Sequence, residues 1–220
     1  MFRKYEKTYR IVSEKIRVAG KLNLSYEDQR ALLKGHSILI EEKMDGANTA
    51  IIRGKGDKWT LQKRRGLADT HAHEQFAFFW NWARANEEKI LQIPEGWIVY
   101  GELMYATHHI FYDELPDYWL AFDVWNEKDG YLGPSKFDYI ERWGFQRVPI
   151  LHIGILDNVN IDRLVYDTSS YASKSVREGI VIKNFRNGLR GKLVRPEFMK
   201  EIEEDDHWMK RSVRRNQLRG

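Results

Sequence analysis

Lys43 is the side chain in this sequence best placed to act as a nucleophile. It closes the run Ile38-Leu39-Ile40-Glu41-Glu42 and precedes Met44-Asp45-Gly46-Ala47-Asn48, after which a second apolar run continues to Ile52. An Asp-Gly pair between two such runs is a strong hairpin signal, because both residues tolerate positive φ. The sequence therefore predicts a hairpin turning at Asp45-Gly46, with Lys43 at a strand end. An amine there is held by rigid backbone yet reaches into a cleft, as a nucleophile or a phosphate clamp must. In extended chain Asp45 shares a face with Lys43, and Asn48 adds a donor and an acceptor just past the turn. The same residue types also make an ordinary solvated hairpin tip.

Further candidates are scattered along the chain. Lys63-Arg64-Arg65-Gly66 gathers cations at the end of a predicted strand, either an exposed basic turn or a phosphate contact. Glu102 lies inside the apolar run Val99-Tyr100-Gly101-Glu102-Leu103-Met104. An acid there costs free energy unless paired, which leaves a structural salt bridge and a ligand-facing carboxylate both open. Histidines stand at 71, 73, 108 and 109, but neither the i, i+2 pair nor the adjacent pair has zinc-site spacing. Glu201 to Asp206 carries five acids and the stretch after it is basic. On a helix Lys210, Arg211, Arg214 and Arg215 share one face, a solvated surface or a nucleic-acid contact.

The elements that must position these groups are mixed. Ser25-Tyr26-Glu27-Asp28 is a capping box opening a short helix that stops near Gly35. One long helix is predicted over 74–92, another from Ser135 to Gly144, and a terminal helix over most of 197–218. Strands are predicted over 59–64, 97–105 and 118–125, with Leu120, Phe122 and Val124 on one face and Asp123 opposite, so that periodicity makes Phe122 a core residue. Further strands are expected at 147–152 and in the charge-ended runs 177–183 and 190–195, and residues 167–176 are the most loop-like stretch, a candidate mobile loop. With 220 residues, 42% apolar content and no repeat, a single domain is expected, residues 1–196 with a basic helix at 197–220 as part of it. The absence of cysteine excludes disulfides and thiolate chemistry. A charged opening and no bilayer-length apolar run predict a soluble cytoplasmic protein with no membrane partner, expected to act as a monomer. The net charge of +4 favours a polyanionic partner.

Five pieces then line up in order: Lys43-Met44-Asp45-Gly46-Ala47-Asn48, Tyr100-Gly101-Glu102-Leu103, Ala121-Phe122-Asp123-Val124, Glu178-Gly179-Ile180-Val181-Ile182-Lys183 and Lys192-Leu193-Val194-Arg195. This order resembles the covalent nucleotidyltransferase superfamily of polynucleotide ligases and mRNA capping enzymes. Within it the chain looks most like ATP-dependent RNA ligases of phage type, on Asn48, on the form of the fourth motif and on the opening Met1-Phe2-Arg3-Lys4-Tyr5.

The resemblance implies an α+β nucleotidyltransferase domain of ATP-grasp-like layering, two packed antiparallel sheets with flanking helices and no OB-fold, with the nucleotide between the sheets. It implies that Lys43 takes AMP from ATP, passes it to an RNA 5′-phosphate, and lets a 3′-hydroxyl displace it. By resemblance Glu178 partners Mg²⁺, and Lys192 and Lys183 steady charge on the phosphates. Glu42, Asp45, Asn48 and Arg64 surround the nucleotide, Glu102 holds the ribose, and Phe122 stacks on adenine. Two departures stand out. Glu178 and Lys183 lie on opposite faces of a regular strand, so a bend must intervene. Val194 replaces a second lysine, leaving Arg190 or Arg195 as substitutes. Only a short segment follows the fifth motif, as in a minimal ligase or an excised catalytic domain. A DNA ligase, a capping guanylyltransferase and a non-catalytic nucleic-acid-binding module remain the alternatives.

Overall fold

The computed structural model describes residues 2–13, 16, 22–71, 73–199 and 212–220, and in them the apolar alternation resolves into two sheets. In chain order the elements are β1 (Tyr9–Arg10), α1 (Tyr26–Leu32), β2 (Ile38–Lys43), β3 (Ala47–Arg53), β4 (Trp59–Lys63), β5 (Gly66–Leu67), α2 (Glu74–Ala85) and α3 (Glu87–Leu91). They continue as β6 (Ile98–Leu103), β7 (Trp119–Asn126), β8 (Gly130–Tyr131), α4 (Lys136–Arg142), β9 (Ile150–Gly154), α5 (Ile161–Tyr166), β10 (Gly179–Asn184) and β11 (Arg190–Val194). One sheet runs β1-β11-β10-β2-β9 and the other β5-β4-β3-β6-β7-β8. All pairings are antiparallel except β1 with β11, which is parallel.

Each sheet buries its outer face under helices. Val99, Leu103, Trp119 and Val124 pack with Phe76, Phe79 and Trp82 of α2, while Ile38, Ile40, Ile180 and Ile182 pack with Leu32 of α1 and Val165 of α5. Between the sheets lies a smaller cluster that includes Met44, Met104, Leu120 and Val194. Tyr5, from the segment preceding β1, packs with Tyr100 and Phe122 on the inner face of the second sheet.

The predicted hairpin at Asp45-Gly46 does not form. β2 pairs with β10 and β9, and β3 with β4 and β6, so residues 44–46 carry the chain from one sheet to the other. Gly46 does not adopt positive φ. Its lack of a side chain is required by close approach instead, since a Cβ would meet the Leu103 carbonyl oxygen at 2.6 Å and Met104 Sδ at 2.7 Å. The Asp-Gly signal marked a crossover, because both strand edges on either side found other partners.

Three more expectations change. The helix over 74–92 is two helices broken at Asn86, whose Nδ2 donates to the Trp82 carbonyl at 2.9 Å. In β7 the register slips by one residue, since Tyr100 pairs with Asp123 and Gly101 with Ala121. Phe122 is the extra residue of this bulge, so Phe122 and Asp123 both turn to the inner face rather than to opposite faces. Residues 196–199 are helical, but 212–220 are not: Arg215 bridges to Ala106 and Leu218 to Leu115. The rest of the predicted terminal helix, with Lys210 and Arg211, lies outside the described residues.

Substituting Gly46→Ala should lower stability by about 1–3 kcal/mol, the usual cost of overpacking a filled site. Thermal unfolding of the purified variant checks this, and an unchanged midpoint would show that the crossover has room to spare.

Candidate active site

The crossover places Lys43 where the two sheets meet. Its Nζ lies 2.7 Å from Glu178 Oε1 and donates to Oε2 at 2.8 Å. Glu178 comes just before β10, whose first residue Gly179 pairs with Lys43. The bend that the sequence required between Glu178 and Lys183 therefore falls at the strand's start. A Cβ on Gly179 would meet the Leu193 carbonyl oxygen at 2.1 Å, so glycine is obligatory where β10 and β11 draw together. Opposite, β6 presents Glu102, paired across the ladder with Asn48 of β3, so both side chains share the inner face.

Carboxylates dominate this corner. Burial disfavours the Lys43 charge, but Glu178, Glu102 and Asp45 outweigh it and hold the ammonium above its ordinary pKa. Burial pushes Glu102 up to about 8 and Glu178 up to about 7, in each case against the pull of Lys43. Without a ligand, Lys43 is thus a paired ammonium between two carboxyls that still carry protons near neutrality.

Asp45 and Glu42 do other work. Asp45 Oδ2 accepts from the backbone N–H groups of His109 at 2.8 Å and Ile110 at 2.9 Å, and its own N–H donates to Tyr112 Oη at 2.9 Å. It therefore anchors the crossover to the 106–112 segment. Glu42 faces the opposite side of β2 from Lys43, where its carboxylate accepts from Ser169 Oγ and from the Ser170 N–H. The loop expected to be mobile is thereby tied down at Ser169, which is buried.

A buried ionic cluster joins the sheets behind Lys43. Lys183 Nζ lies 2.6 Å from Glu41 Oε2 and 3.1 Å from Asp123 Oδ2, and Lys136 Nζ lies 3.2 Å from Glu41 Oε1 and 2.9 Å from Asp123 Oδ1. Both ammoniums also donate to the Phe122 carbonyl, at 3.0 and 2.6 Å. Arg190 and the Tyr5 hydroxyl complete the shell of Asp123, whose carboxyl stays well below the usual range despite burial because of these cations. The cluster pins the bulge and so fixes the half-buried Phe122 ring, with Lys183 5.5 Å from its centroid. Glu41, Lys136 and Tyr5 escaped sequence reasoning. Only a charged side chain with 0% exposure reveals the role of Lys136.

The cations expected near phosphate divide. Lys192 faces the cleft beside Val181 and makes no ion pair among the described residues, and burial, then Lys43, lowers its pKa to about 8. Arg64 is exposed on the β4–β5 turn. Arg190 is engaged by Asp123, and Arg195 by the Arg177 carbonyl at 2.7 Å, so neither is free to replace the lysine that Val194 displaces. Arg214 stacks 4.1 Å from the Phe111 ring centroid, and Arg215 lies over Tyr105 and 3.5 Å from Glu74. They belong to a C-terminal strap fastened by the buried Asn216. Its Nδ2 donates to the Met104 carbonyl at 2.7 Å, and its Oδ1 accepts from Thr107 Oγ1 at 2.9 Å and the Tyr112 N–H at 3.0 Å. Through Tyr112 the strap reaches Asp45, a link that a lone Asn in a basic tail did not announce.

No group of three or more His, Asp or Glu side chains among the described residues is arranged to hold a metal ion. Glu178 and Glu102, both protonated part of the time near neutrality, suit a hard cation that keeps most of its waters and takes one or two carboxylates. Among the described residues no helix is long and apolar enough to cross a membrane.

Comparison with known proteins agrees with this geometry. The family described as RNA ligase matches residues 36–195. No curated protein matches the sequence. Among solved structures, the chain is similar to Naegleria gruberi RNA ligase with PPi, at 20% identity and a TM-score of 0.63, over 80% of this chain and 55% of that one. It is also similar to a lysine-to-alanine mutant of the same ligase with ATP and Mn, at 18% identity and a TM-score of 0.67, over 92% of this chain and 64% of the other. A third match, a lysine-to-methionine mutant with AMP and Mn, gives 16% identity and 0.62, over 92% and 59%. At these identities the likeness establishes the fold, and the chain spans less than two thirds of the structures it matches.

The raised carboxyls make a pH prediction. The folded protein keeps protons on Glu178 and Glu102 up to about 7 and about 8, whereas an unfolded chain has lost them at the ordinary carboxyl value of 4.5. More protons are bound in the folded state across that window, so stability falls as pH rises through it. Melting of the metal-free protein should show this fall. Glu102→Gln should melt higher than wild type at the upper end of the window and converge with it at the lower end. Parallel curves for the two proteins would contradict the assignment.

Proposed function

The chain belongs to the RNA ligase family, and from that premise we propose that it joins RNA ends at the expense of ATP through a lysine-linked adenylate on Lys43. The observation that carries this reading is the Lys43–Glu178 pair at the seam of the two sheets, with Glu102 and Asn48 opposite and Lys192 alongside.

In this mechanism Lys43 sheds a proton and its Nζ attacks the α-phosphorus of ATP. A P–N bond forms, the P–O bond to the β-phosphate breaks, and pyrophosphate leaves. A 5′-phosphate oxygen of RNA then takes the AMP, and Lys43 is released. A 3′-hydroxyl finally attacks that 5′-phosphorus and AMP departs. Glu178 orients the amine and holds its proton until attack. The carboxylates that favour the ammonium must be offset first, and Lys192 is a neighbouring cation that makes no ion pair among the described residues. A divalent cation held by Glu178 would add Lewis-acid charge on the phosphates. Phe122, fixed by Lys136 and Lys183, is the ring proposed to stack on adenine, so Lys183 serves the nucleotide through Phe122. Glu102 and Asn48 take the ribose and its phosphate, with Arg64 at the rim. Asp45 acts by holding the crossover, and Glu42 by fixing the 167–176 loop. Arg214 and Arg215, exposed on the strap, are proposed to meet RNA, together with Lys210 and Arg211.

Labelling with ATP or GTP, followed by joining of a 5′-phosphorylated RNA, tests the proposal. ATP should label and GTP should not. Glu178→Gln should slow labelling by about 10²-fold, the scale for losing one group that serves the transition state. Labelling by GTP, or labelled protein that never joins RNA, would overturn the reading.

A further inference from the structure

Arg10 has no place in the motifs above, yet the fold sets it beside Lys192. The parallel pairing of β1 with β11 puts Arg10 in register with Lys192, so their side chains leave the sheet on the same face. The backbone there is locked. The Ile11 N–H donates to the Lys192 carbonyl at 2.8 Å, the Arg10 N–H to the Leu22 carbonyl at 2.7 Å, and the Leu24 N–H to the Arg10 carbonyl at 2.8 Å. Opposite Tyr9, Gly191 leaves no room for a Cβ, which would lie 2.6 Å from Ile11 Cγ1. The strand pair therefore closes tightly, and the position of Arg10 is a product of packing.

Among the described residues the Arg10 guanidinium meets no acid. Its polar side-chain contact there is a weak one, Nη2 to Met199 Sδ at 3.8 Å. Arg10 and Lys192 line a common recess with Val194 and Met199. The ammonium of Lys192 is repelled by Lys43, Arg10 and Arg64 and attracted by Glu178, whose carboxylate is already paired with Lys43. Arg10 and Lys192 share one face, and the Glu178 carboxylate near Lys192 is engaged by Lys43, so a bound anion would relieve their repulsion. A planar guanidinium next to an ammonium suits the oxygens of a phosphate.

We propose that Arg10, with Lys192, forms a phosphate subsite beside Lys43, and that Arg10 is a substrate-binding residue of this protein. The phosphate is either the pyrophosphate portion of the nucleotide or the terminal 5′-phosphate of RNA, which present the same chemistry to these two groups. Naming those two sources rests on the function proposed above; the anion site itself rests on the geometry alone.

The test uses the full chain and direct binding. Calorimetric titration with inorganic pyrophosphate, and separately with one oligoribonucleotide bearing a 5′-phosphate or a 5′-hydroxyl, compares wild type with Arg10→Met and Arg10→Lys. Arg10→Met keeps an apolar stem over Met199 and should weaken one of the two phosphate probes by about tenfold, the scale of one charge-assisted contact. Arg10→Lys should recover part of the loss. Weaker pyrophosphate binding assigns the subsite to the nucleotide, and loss of the preference for a 5′-phosphate assigns it to the RNA end. If Arg10→Met melts well below wild type, Arg10→Gln is read in its place. Binding of both probes as in wild type, by a variant that melts as wild type does, overturns the subsite. A wild type that binds the probes but never forms an adenylate would instead overturn the proposed function and leave the subsite standing.

Discussion

The passage of one strand into another across two sheets, in three residues, is the constraint on which the site depends. Lys43 ends β2 in one sheet and Ala47 begins β3 in the other. Met44 fills the cluster between them, Asp45 is bound by two backbone N–H groups, and Gly46 lies against the Leu103 carbonyl. None of the three can move without disturbing both sheets. The amine is therefore aimed by backbone, and its charge state is left to its neighbours.

Those neighbours are asymmetric. Around Lys43 stand Glu178, Glu102 and Asp45, and a short distance along the first sheet stand Lys192 and Arg10, with Arg64 on a turn of the second. The acidic side stores the lysine as an ammonium, and its Glu178 also attracts Lys192. Deeper in, Glu41 and Asp123 are saturated by Lys136, Lys183 and Arg190 and serve as the bolt between the sheets. Buried ion pairs of this kind seldom add much stability over apolar packing, but breaking one leaves a charge stranded. Their value here is positional, because they hold the Phe122 carbonyl and with it the bulge.

Much of the site was legible in the sequence, because motifs carried by strand ends keep their residues together. Lys43, Glu102, Glu178, Lys192 and Phe122 all reach the space between the sheets, and the bend demanded by the spacing of Glu178 and Lys183 was found. What failed were inferences from local patterns that tertiary packing overrode. Asp45-Gly46 reads as a hairpin only if its flanking strands pair, and nothing local says that each has better partners. The face of Asp123 was misjudged because a bulge resets the period of two. The strap at 212–220 looked helical from its charges, whereas Asn216 is held by backbone groups more than a hundred positions away. Lys136 and Arg10 were invisible for the same reason, since their significance lies in partners that only the fold supplies or withholds.

The central claim is that Lys43 carries a covalent adenylate, and the intact mass of the protein tests it most directly. Protein freed of bound nucleotide would be incubated with ATP and Mg²⁺, alongside Lys43→Ala. A single AMP adduct on wild type, absent from the variant and reversed by added pyrophosphate, is the predicted result. An adduct that survives in Lys43→Ala, or no adduct on folded wild type, would contradict the account.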